Sequence, residues 1–219
     1  MIRGILFDLG GTLIESKDPA EVIESFLSEE GITKSRQEIA TAVSRAERSF
    51  CEDDFIGTSF WKEWNVRVLT SLGVVSERER LASKIDSEWF ERAQVRPYPE
   101  VVDVLRQLKA RGLRLGAVTN GMVTDIPHLI DEAGLGEFLQ VRTSADAAGR
   151  RKPNPRIFLH AARTMALHPS DVMFVGDDLY LDYYPSQSVG MIPVLVNRRA
   201  TETLVKNVIR DLTGIWTFL

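Results

Sequence analysis

The hydrophobic and polar positions of the chain follow two different periods. Residues 2–7 form a short apolar run that ends at Asp8 in a glycine-rich turn, which predicts a buried strand followed by a loop. From about residue 18 to residue 94 the apolar positions recur at helical spacing, and this stretch predicts four helices and no strand. Short strand-like runs then alternate with helical patterns: strands at 114–118, 139–143, 172–176 and 192–196, helices at 99–111, 123–133, 154–166 and 201–212.

Capping signals define several helix ends in the helical stretch. Asp18 precedes Pro19 and is expected to cap a helix that ends before Gly31. The segments 35–38 and 76–79 each place a glutamate three residues after a serine, the spacing of a capping box. Two further helices are therefore expected to begin at these serines.

The alternation of strands and helices after residue 97 predicts a parallel sheet with right-handed crossovers. The first strand has no such helix after it and belongs to the same sheet. The expected fold is α/β, a three-layer Rossmann-like core of residues 1–15 and 97–219, interrupted by a helical domain at 16–96. Residues 50–64 contain five aromatic side chains, most of which are expected to pack in the core of this insert, while one or two could line a substrate pocket: Phe50, Phe55, Phe60, Trp61 and Trp64.

Composition narrows the class of protein. The 219 residues are 44% hydrophobic and carry a formal net charge of −4, which indicates a folded chain and gives no basic field for nucleic acid. No apolar run reaches the roughly 18 residues of a membrane span, so no membrane partner is expected. The single cysteine, Cys51, cannot form an internal disulfide, and a cytoplasmic location is the default expectation.

Polar residues follow four of the predicted strands. They are Asp8, the run at 119–121, Lys152, and the pair at 177–178 with Asp182 nearby. Ligands of an open parallel sheet bind at the carboxyl ends of its strands, so we expect these side chains to converge. Gathered carboxylates repel by about 4 kcal/mol per pair at 4 Å and an effective dielectric of 20. A Mg²⁺ ion and the ammonium of Lys152 would offset this charge and leave capacity for a phosphate group.

Four motifs carry a resemblance to a known family. FDLGGT at 7–12, VTNG at 118–121, RKPNP at 151–155 and VGDDLYLD at 175–182 resemble, in order and spacing, the four motifs of the haloacid dehalogenase-like hydrolase superfamily. The helical insert after the first motif resembles the helical cap of that family. The resemblance covers the whole chain.

The resemblance implies a Mg²⁺-dependent phosphatase of a small phosphorylated substrate. Asp8 would be the nucleophile that takes the phosphoryl group, and Thr119 and Lys152 would complete the catalytic set. Residues implied to shape the phosphate site are Gly11, Thr12, Thr119, Asn120, Gly121 and Lys152. Residues implied to ligate the metal or orient its ligands are Asp8, the Gly10 carbonyl, Asp177, Asp178 and Asp182.

One position departs from the phosphatase pattern. Most phosphatases of this family have a second aspartate two residues after the nucleophile, as general acid and base, and here that residue is Gly10. General acid–base catalysis typically raises the reaction rate by about 10² to 10⁴-fold. Three alternatives follow: a phosphatase that needs little help or uses another donor, a non-catalytic phosphate-binding protein, or a phosphonoacetaldehyde hydrolase-like enzyme. The last would use a cap lysine, for which Lys34, Lys62 and Lys84 are candidates. A monomer and a homodimer are both compatible with the sequence.

Overall fold

A computed structural model describes residues 1–53, 56, 57 and 59–219, and of 50–53 it describes the backbone only. The chain divides into two compact units. The core unit comprises Met1–Glu15 and Arg96–Leu219, and the helical unit comprises Ser16–Val95. Within the described residues, no helix is both long enough and apolar enough to cross a membrane.

The core unit is built on a parallel sheet. Its described strands are β1 (Gly4–Phe7), β2 (Ile14–Glu15), β3 (Arg96–Pro97), β4 (Arg114–Val118), β5 (Val141–Thr143), β6 (Val172–Gly176), β7 (Ile192–Val196) and β8 (Val208–Ile209). Six of them form one sheet in the order β5-β4-β1-β6-β7-β8, with every neighbouring pair parallel, and β2 and β3 form a separate antiparallel pair. With helices flanking the sheet, the predicted Rossmann-like α/β fold class is confirmed. All six strands end at the same edge.

The strands are buried because their side chains pack on the flanking helices. The core-unit helices, numbered in chain order after the four helices of the helical unit, are α5 (Val101–Ala110), α6 (Ala145–Ala148), α7 (Pro155–Thr164) and α8 (Tyr184–Ser188). Phe158 of α7 meets Phe174 of β6 edge to face, with ring centroids 4.8 Å apart. Leu6 of β1 and Val118 of β4 belong to the same apolar cluster, so α7 holds the strands that carry the polar loops.

Two predicted core helices differ from the structure. The segment predicted at 123–133 forms a 3₁₀ turn at Val123–Asp125 and a π-helical turn at Pro127–Asp131. Pro127 has no N–H to donate, and its carbonyl accepts the N–H of Glu132 five residues later, which widens the turn.

The helix predicted at 201–212 is wrong. The Asn197 side chain binds the backbone at the start of this segment: it accepts the N–H of Thr201 and donates to the Thr201 carbonyl. The β-branched pair Val208–Ile209 then extends as edge strand β8 beside β7. A 3₁₀ helix follows at Leu212–Phe218. The apolar residues of 201–212 have the spacing of a helix, but pairing with β7 makes part of this segment a strand.

The helical unit contains four described helices, in agreement with the sequence. They are α1 (Pro19–Glu29), α2 (Arg36–Asp53), α3 (Phe60–Ser71) and α4 (Arg78–Ala93). Asp18 caps α1 through the N–H of Ala20 at 2.8 Å, and Ser35 forms its capping box with Glu38. The capping box predicted at 76–79 is wrong: α4 begins after Glu77, whose left-handed φ of 54° places no side chain on the helix end.

The aromatic residues of the helical unit form part of its core. Phe60 and Trp64 are buried, and Trp61 meets both rings edge to face. The side chains of Phe50 and Phe55 lie outside the described residues. Helices α1 and α4 are also joined by ion pairs, in which Glu29 contacts Lys84 and Arg92, each at 2.8 Å.

Candidate active site

The first motif places Asp8 at the carboxyl end of β1. Its N–H donates to the carbonyl of Val175 at 2.9 Å, which continues the pairing of β1 with β6 by one residue. The chain then folds into a tight turn in which the Leu9 carbonyl accepts three N–H groups, those of residues 12, 13 and 14. This turn leaves Asp8 only 8% exposed, at the edge of the sheet.

Lys152 bridges two carboxylates at this edge. Its ammonium lies 2.5 Å from Oδ1 of Asp8 and 2.7 Å from Oδ1 of Asp182, and the residue is 4% exposed. Asn120 holds the backbone of Lys152 in place, because its side chain accepts the Lys152 N–H at 2.7 Å and donates to the Lys152 carbonyl at 3.1 Å. Asn120 of the second motif therefore helps to position the ammonium of Lys152, which belongs to the third motif.

Three carboxylates converge beside Lys152. Ligand atoms of Asp8, Asp177 and Asp182 all lie within 4.8 Å of one another. The hydroxyl of Thr12 lies 3.5 Å from both Oδ2 of Asp8 and Oδ1 of Asp177. One ammonium among three carboxylates leaves an excess of negative charge, and each carboxylate pair repels by about 4 kcal/mol at 4 Å and dielectric 20. The arrangement therefore favours a cation.

Burial and mutual repulsion shift the acidity of these groups. Burial raises the pKa of Asp8; Lys152 opposes this rise and the charge of Asp177 adds to it. The pKa values of Asp177 and Asp182 are each raised to about 6, first by burial and then by a neighbouring carboxylate, against the lowering effect of Lys152. Burial alone would lower the pKa of Lys152, but Asp182 and Asp8 outweigh it and raise that pKa. Lys152 is therefore charged at neutral pH.

Two adjacent glycines in the turn have different surroundings. Gly11 has a left-handed φ of 74°, and a β carbon there would overlap the carboxylate of Asp177. A β carbon at Gly10 would meet nothing within 4 Å among the described residues beyond its chain neighbours. Position 11 therefore requires glycine, whereas position 10 has room for a side chain.

The remaining predicted site residues fall into two groups. Thr119 is buried, and its hydroxyl oxygen accepts the N–H of Gly121 at 3.0 Å. Asp178 turns away from the other carboxylates and caps the next turn, accepting the N–H groups of Tyr180 and Leu181 at 2.7 and 2.8 Å. The structure thus brings together Asp8, Asp177 and Asp182, while the Asp178 side chain lies outside this cluster.

Arg198, which lies two residues after β7, is a site residue that the sequence does not predict. The Arg198 guanidinium donates to the carbonyls of Gly11 and Thr12 at 3.1 and 2.7 Å, inside the turn that follows Asp8. The only sequence signal is its position after a strand, without a recognisable motif. The contact is visible only in the folded chain.

The sheet edge with its lysine-bridged carboxylates defines an α/β enzyme whose site is centred on aspartates. The chain belongs to the haloacid dehalogenase-like hydrolase family, whose model matches residues 2–189. The resemblance drawn from the four motifs is confirmed, and so is the prediction of a hydrolase.

Two relatives with curated names are phosphatases. The chain is 28% identical over 215 residues to the glyceraldehyde 3-phosphate phosphatase of Methanopyrus kandleri, covering 90% of this chain and 85% of that protein. It is 29% identical over 185 residues to phosphoglycolate phosphatase 1 of Pseudomonas aeruginosa, covering 80% of this chain and 62% of that protein.

Solved structures share the fold over nearly the full length. The HAD-hydrolase YfnB from Bacillus subtilis, bound to magnesium, has a TM-score of 0.83 at 18% identity, covering 99% of this chain and 97% of that one. A 2-haloacid dehalogenase from Pseudomonas syringae pv. Tomato DC3000 has a TM-score of 0.72 at 25% identity, with the same coverage.

Proposed function

We propose that this hydrolase is a Mg²⁺-dependent phosphatase that acts on a small phosphorylated metabolite through an aspartyl-phosphate on Asp8. The proposal rests on the position of Asp8. One carboxylate oxygen is bound to Lys152, the other lies 3.5 Å from the Thr12 hydroxyl, and the carboxylate lies within 4.8 Å of that of Asp177. The curated relatives, named for small phosphate monoesters, support the same reaction class. The helical unit, inserted in the sequence soon after the Asp8 turn, would serve as the cap that selects substrates.

The donor set fits a hard divalent cation. Asp182 is the most enclosed of the three carboxylates: its two oxygens accept hydrogen bonds from Lys152 and from the N–H of Asp178, and the residue is only 2% exposed. Asp8 and Asp177 therefore remain to hold the cation, with the Gly10 carbonyl as an expected third ligand. Mg²⁺ usually takes one or two carboxylates and leaves places for water and substrate phosphate. When bound, it would offset the excess negative charge and polarise the phosphoryl oxygens.

Asp8 would carry the phosphoryl group between two displacements. Oδ2, the oxygen that is not bound to Lys152, attacks phosphorus; the new P–O bond forms as the ester P–O bond breaks, and the leaving oxygen takes a proton from solvent. Water then attacks the phosphorus of the aspartyl-phosphate; the new P–O bond forms as the bond between phosphorus and Oδ2 breaks, and one proton of the water passes to solvent. Inorganic phosphate is released and the Asp8 carboxylate is restored. The Lys152 ammonium fixes the orientation of Asp8 and stabilises negative charge on the phosphoryl oxygens.

Thr119 would hold a phosphate oxygen. Its hydroxyl oxygen already accepts the N–H of Gly121, so the hydroxyl proton can be donated to a ligand. Asn120 contributes indirectly, because its side chain is committed to the backbone of Lys152. The second motif therefore supplies one donor to the phosphate and one support for the lysine.

Gly10 determines which substrates react well. Position 10 has no carboxyl group to protonate the leaving oxygen. The general acid–base contribution that is missing is about 10² to 10⁴-fold in rate. Acyl and aryl phosphates, whose leaving groups are stable anions, need that proton least. We therefore expect these to be the better substrates.

The test of the function is turnover of acetyl phosphate and p-nitrophenyl phosphate, with and without Mg²⁺. Glyceraldehyde 3-phosphate and phosphoglycolate complete the panel. We expect phosphate release that requires Mg²⁺ and is lost on chelation by EDTA. A rate no higher than that of the Asp8→Asn variant across the panel would defeat the proposal.

Gly10→Asp should create the missing acid and base. Position 10 has room for a side chain, so we expect hydrolysis of alkyl phosphates to rise by about 10²-fold, with a smaller gain for aryl phosphates. The measurement is kcat/KM for an alkyl and an aryl ester, with Gly10→Ala as the control. Unchanged alkyl ester rates would show that the proton is supplied from elsewhere.

Two other candidate functions make different predictions. A non-catalytic phosphate-binding protein would show thermal stabilisation by phosphate without any product. A phosphonoacetaldehyde hydrolase-like enzyme needs a neutral amine on a cap lysine to form an imine. Lys84 is unsuited to this, because hydrogen bonding to Glu29 raises its pKa. Borohydride trapping of a substrate imine would support that enzyme.

A further inference from the structure

Arg198 is attached to the turn that follows Asp8 by more than one contact. Nε donates to the Gly11 carbonyl at 3.1 Å, and Nη2 donates to the Thr12 carbonyl at 2.7 Å. The guanidinium thus spans two consecutive peptide groups with its planar fork. A lysine ammonium could not reproduce this geometry.

The Arg198 side chain is itself held from the other side. Its Nη2 lies 2.8 Å from Oε1 of Glu100, and its guanidinium carbon lies 3.5 Å from the ring centroid of Tyr98. The Arg198 and Glu100 side chains are only 18% and 17% exposed. A carboxylate partner and an aromatic face restrict the rotamers of this arginine, so it offers the turn a fixed anchor.

The anchored turn lies beside two carboxylates that repel each other. Thr12, whose carbonyl Arg198 holds, places its hydroxyl beside both Asp8 and Asp177. Repulsion between these carboxylates would push the turn away from the Asp177 loop. Two hydrogen bonds from the partly buried guanidinium of Arg198 oppose this displacement.

We propose that Arg198 is a positioning residue, which fixes the Asp8 turn for attack on phosphorus and does not itself contact the substrate. This inference rests on the proposed phosphatase function. A misplacement of about 1 Å in a reacting group can cost about 10²-fold in rate. Because Glu100 offsets the charge of Arg198, the anchoring comes from hydrogen-bond geometry and depends little on charge at a distance.

The test compares Arg198→Lys and Arg198→Ala with the matched variants Arg142→Lys and Arg142→Ala. Arg142 makes two of the same kinds of contact at a different place: it donates to the carbonyls of Leu139 and Gly136, and it pairs with Asp131 at 3.0 Å. Both Arg198 variants should lower kcat by about 10 to 10²-fold with KM within about threefold. Both Arg142 variants should retain kcat within about threefold.

Hydrogen exchange provides a readout that does not depend on activity. In Arg198→Lys we expect faster amide exchange at residues 12–14, whose N–H groups bond to Leu9, while exchange in the β1 and β6 strands stays unchanged. In the Arg142 variants, faster exchange should be confined to the 131–139 region. The lysine variant keeps the charge and is the variant more certain to fold.

The outcomes separate the two proposals. If wild-type protein shows no phosphate release, the proposed function fails, and hydrogen exchange still decides whether Arg198 anchors the turn. Wild-type kcat in Arg198→Lys would overturn the inference, as would exchange at 12–14 no faster than in the wild type. A fall in kcat with KM raised in proportion would also overturn it, since it would point to substrate contact.

Discussion

Replacement of Asp8 by asparagine is expected to reduce phosphate release by about 10⁴-fold or more while the protein stays folded. The amide cannot act as a nucleophile toward phosphorus, and removing the nucleophile from a covalent mechanism has effects of this size. Asparagine has almost the same shape as aspartate, so the turn and its contacts are retained. The measurement is kcat with the best ester of the panel, in the presence of Mg²⁺.

The same substitution should not lower thermal stability. The raised pKa of Asp8 means that the fold disfavours its ionised form, first because of burial, so a neutral side chain is tolerated. Lys152 keeps its second partner, Asp182. We expect the Tm of Asp8→Asn in EDTA at pH 7 to equal or exceed that of the wild type. A large fall in Tm would mean that the loss of activity reports unfolding.

Asp178→Asn is the matched control for Asp8→Asn. It belongs to the fourth motif, yet its side chain caps a turn, and asparagine is also a good capping residue. Activity within about threefold of the wild type is expected. A loss as large as that of Asp8→Asn would return Asp178 to the metal site.

Lys152→Met should have the second largest effect, on both stability and activity. The ammonium is buried between Asp8 and Asp182, and removing one partner of a buried ion pair costs about 3–5 kcal/mol. For a chain of this size, that corresponds to a fall in Tm of roughly 6–20 °C. Activity should fall by about 10²-fold or more, since loss of one preorganised donor costs about that much.

A double-mutant cycle with Asp182→Asn separates these two effects of Lys152. In Lys152→Met/Asp182→Asn the buried carboxylate is gone together with its partner, so part of the stability should return while activity stays low. Thermal unfolding is measured in EDTA, so that no cation compensates for the lost ammonium. Additive stability losses in the double variant would show that the two side chains are not coupled.

The sequence determined the fold class and the motif positions because both depend on local pattern. Apolar runs of strand length alternate with helical patterns, and polar residues directly follow the strands, as at Asp8 and Thr119. Capping chemistry was readable where it is local, at Asp18 and Ser35. The capping box predicted at Ser76 is wrong, because the backbone of Glu77 is left-handed and the helix begins after it.

Local pattern was insufficient where the partner is distant in the chain. The segment at 201–212 has helical spacing, but Val208 and Ile209 extend beside β7, since only the folded sheet offers them an edge. Gly10 and Gly11 are identical residues in sequence, yet only the approach of Asp177 shows that one has room and the other has none.

The roles within the fourth motif also depended on tertiary structure. The sequence does not distinguish the roles of Asp178 and Asp182. In the structure the Asp178 side chain accepts the N–H of Tyr180 at the start of a helical turn, whereas the Asp182 side chain binds Lys152. Arg198 carries no motif, and its contact with the Asp8 turn spans 186 residues between Thr12 and Arg198. The sequence by itself determined which chemistry the chain carries, because residue types and strand ends are local. Only the tertiary structure decided which of those groups meet, because their contacts join distant segments whose register and burial are fixed by packing.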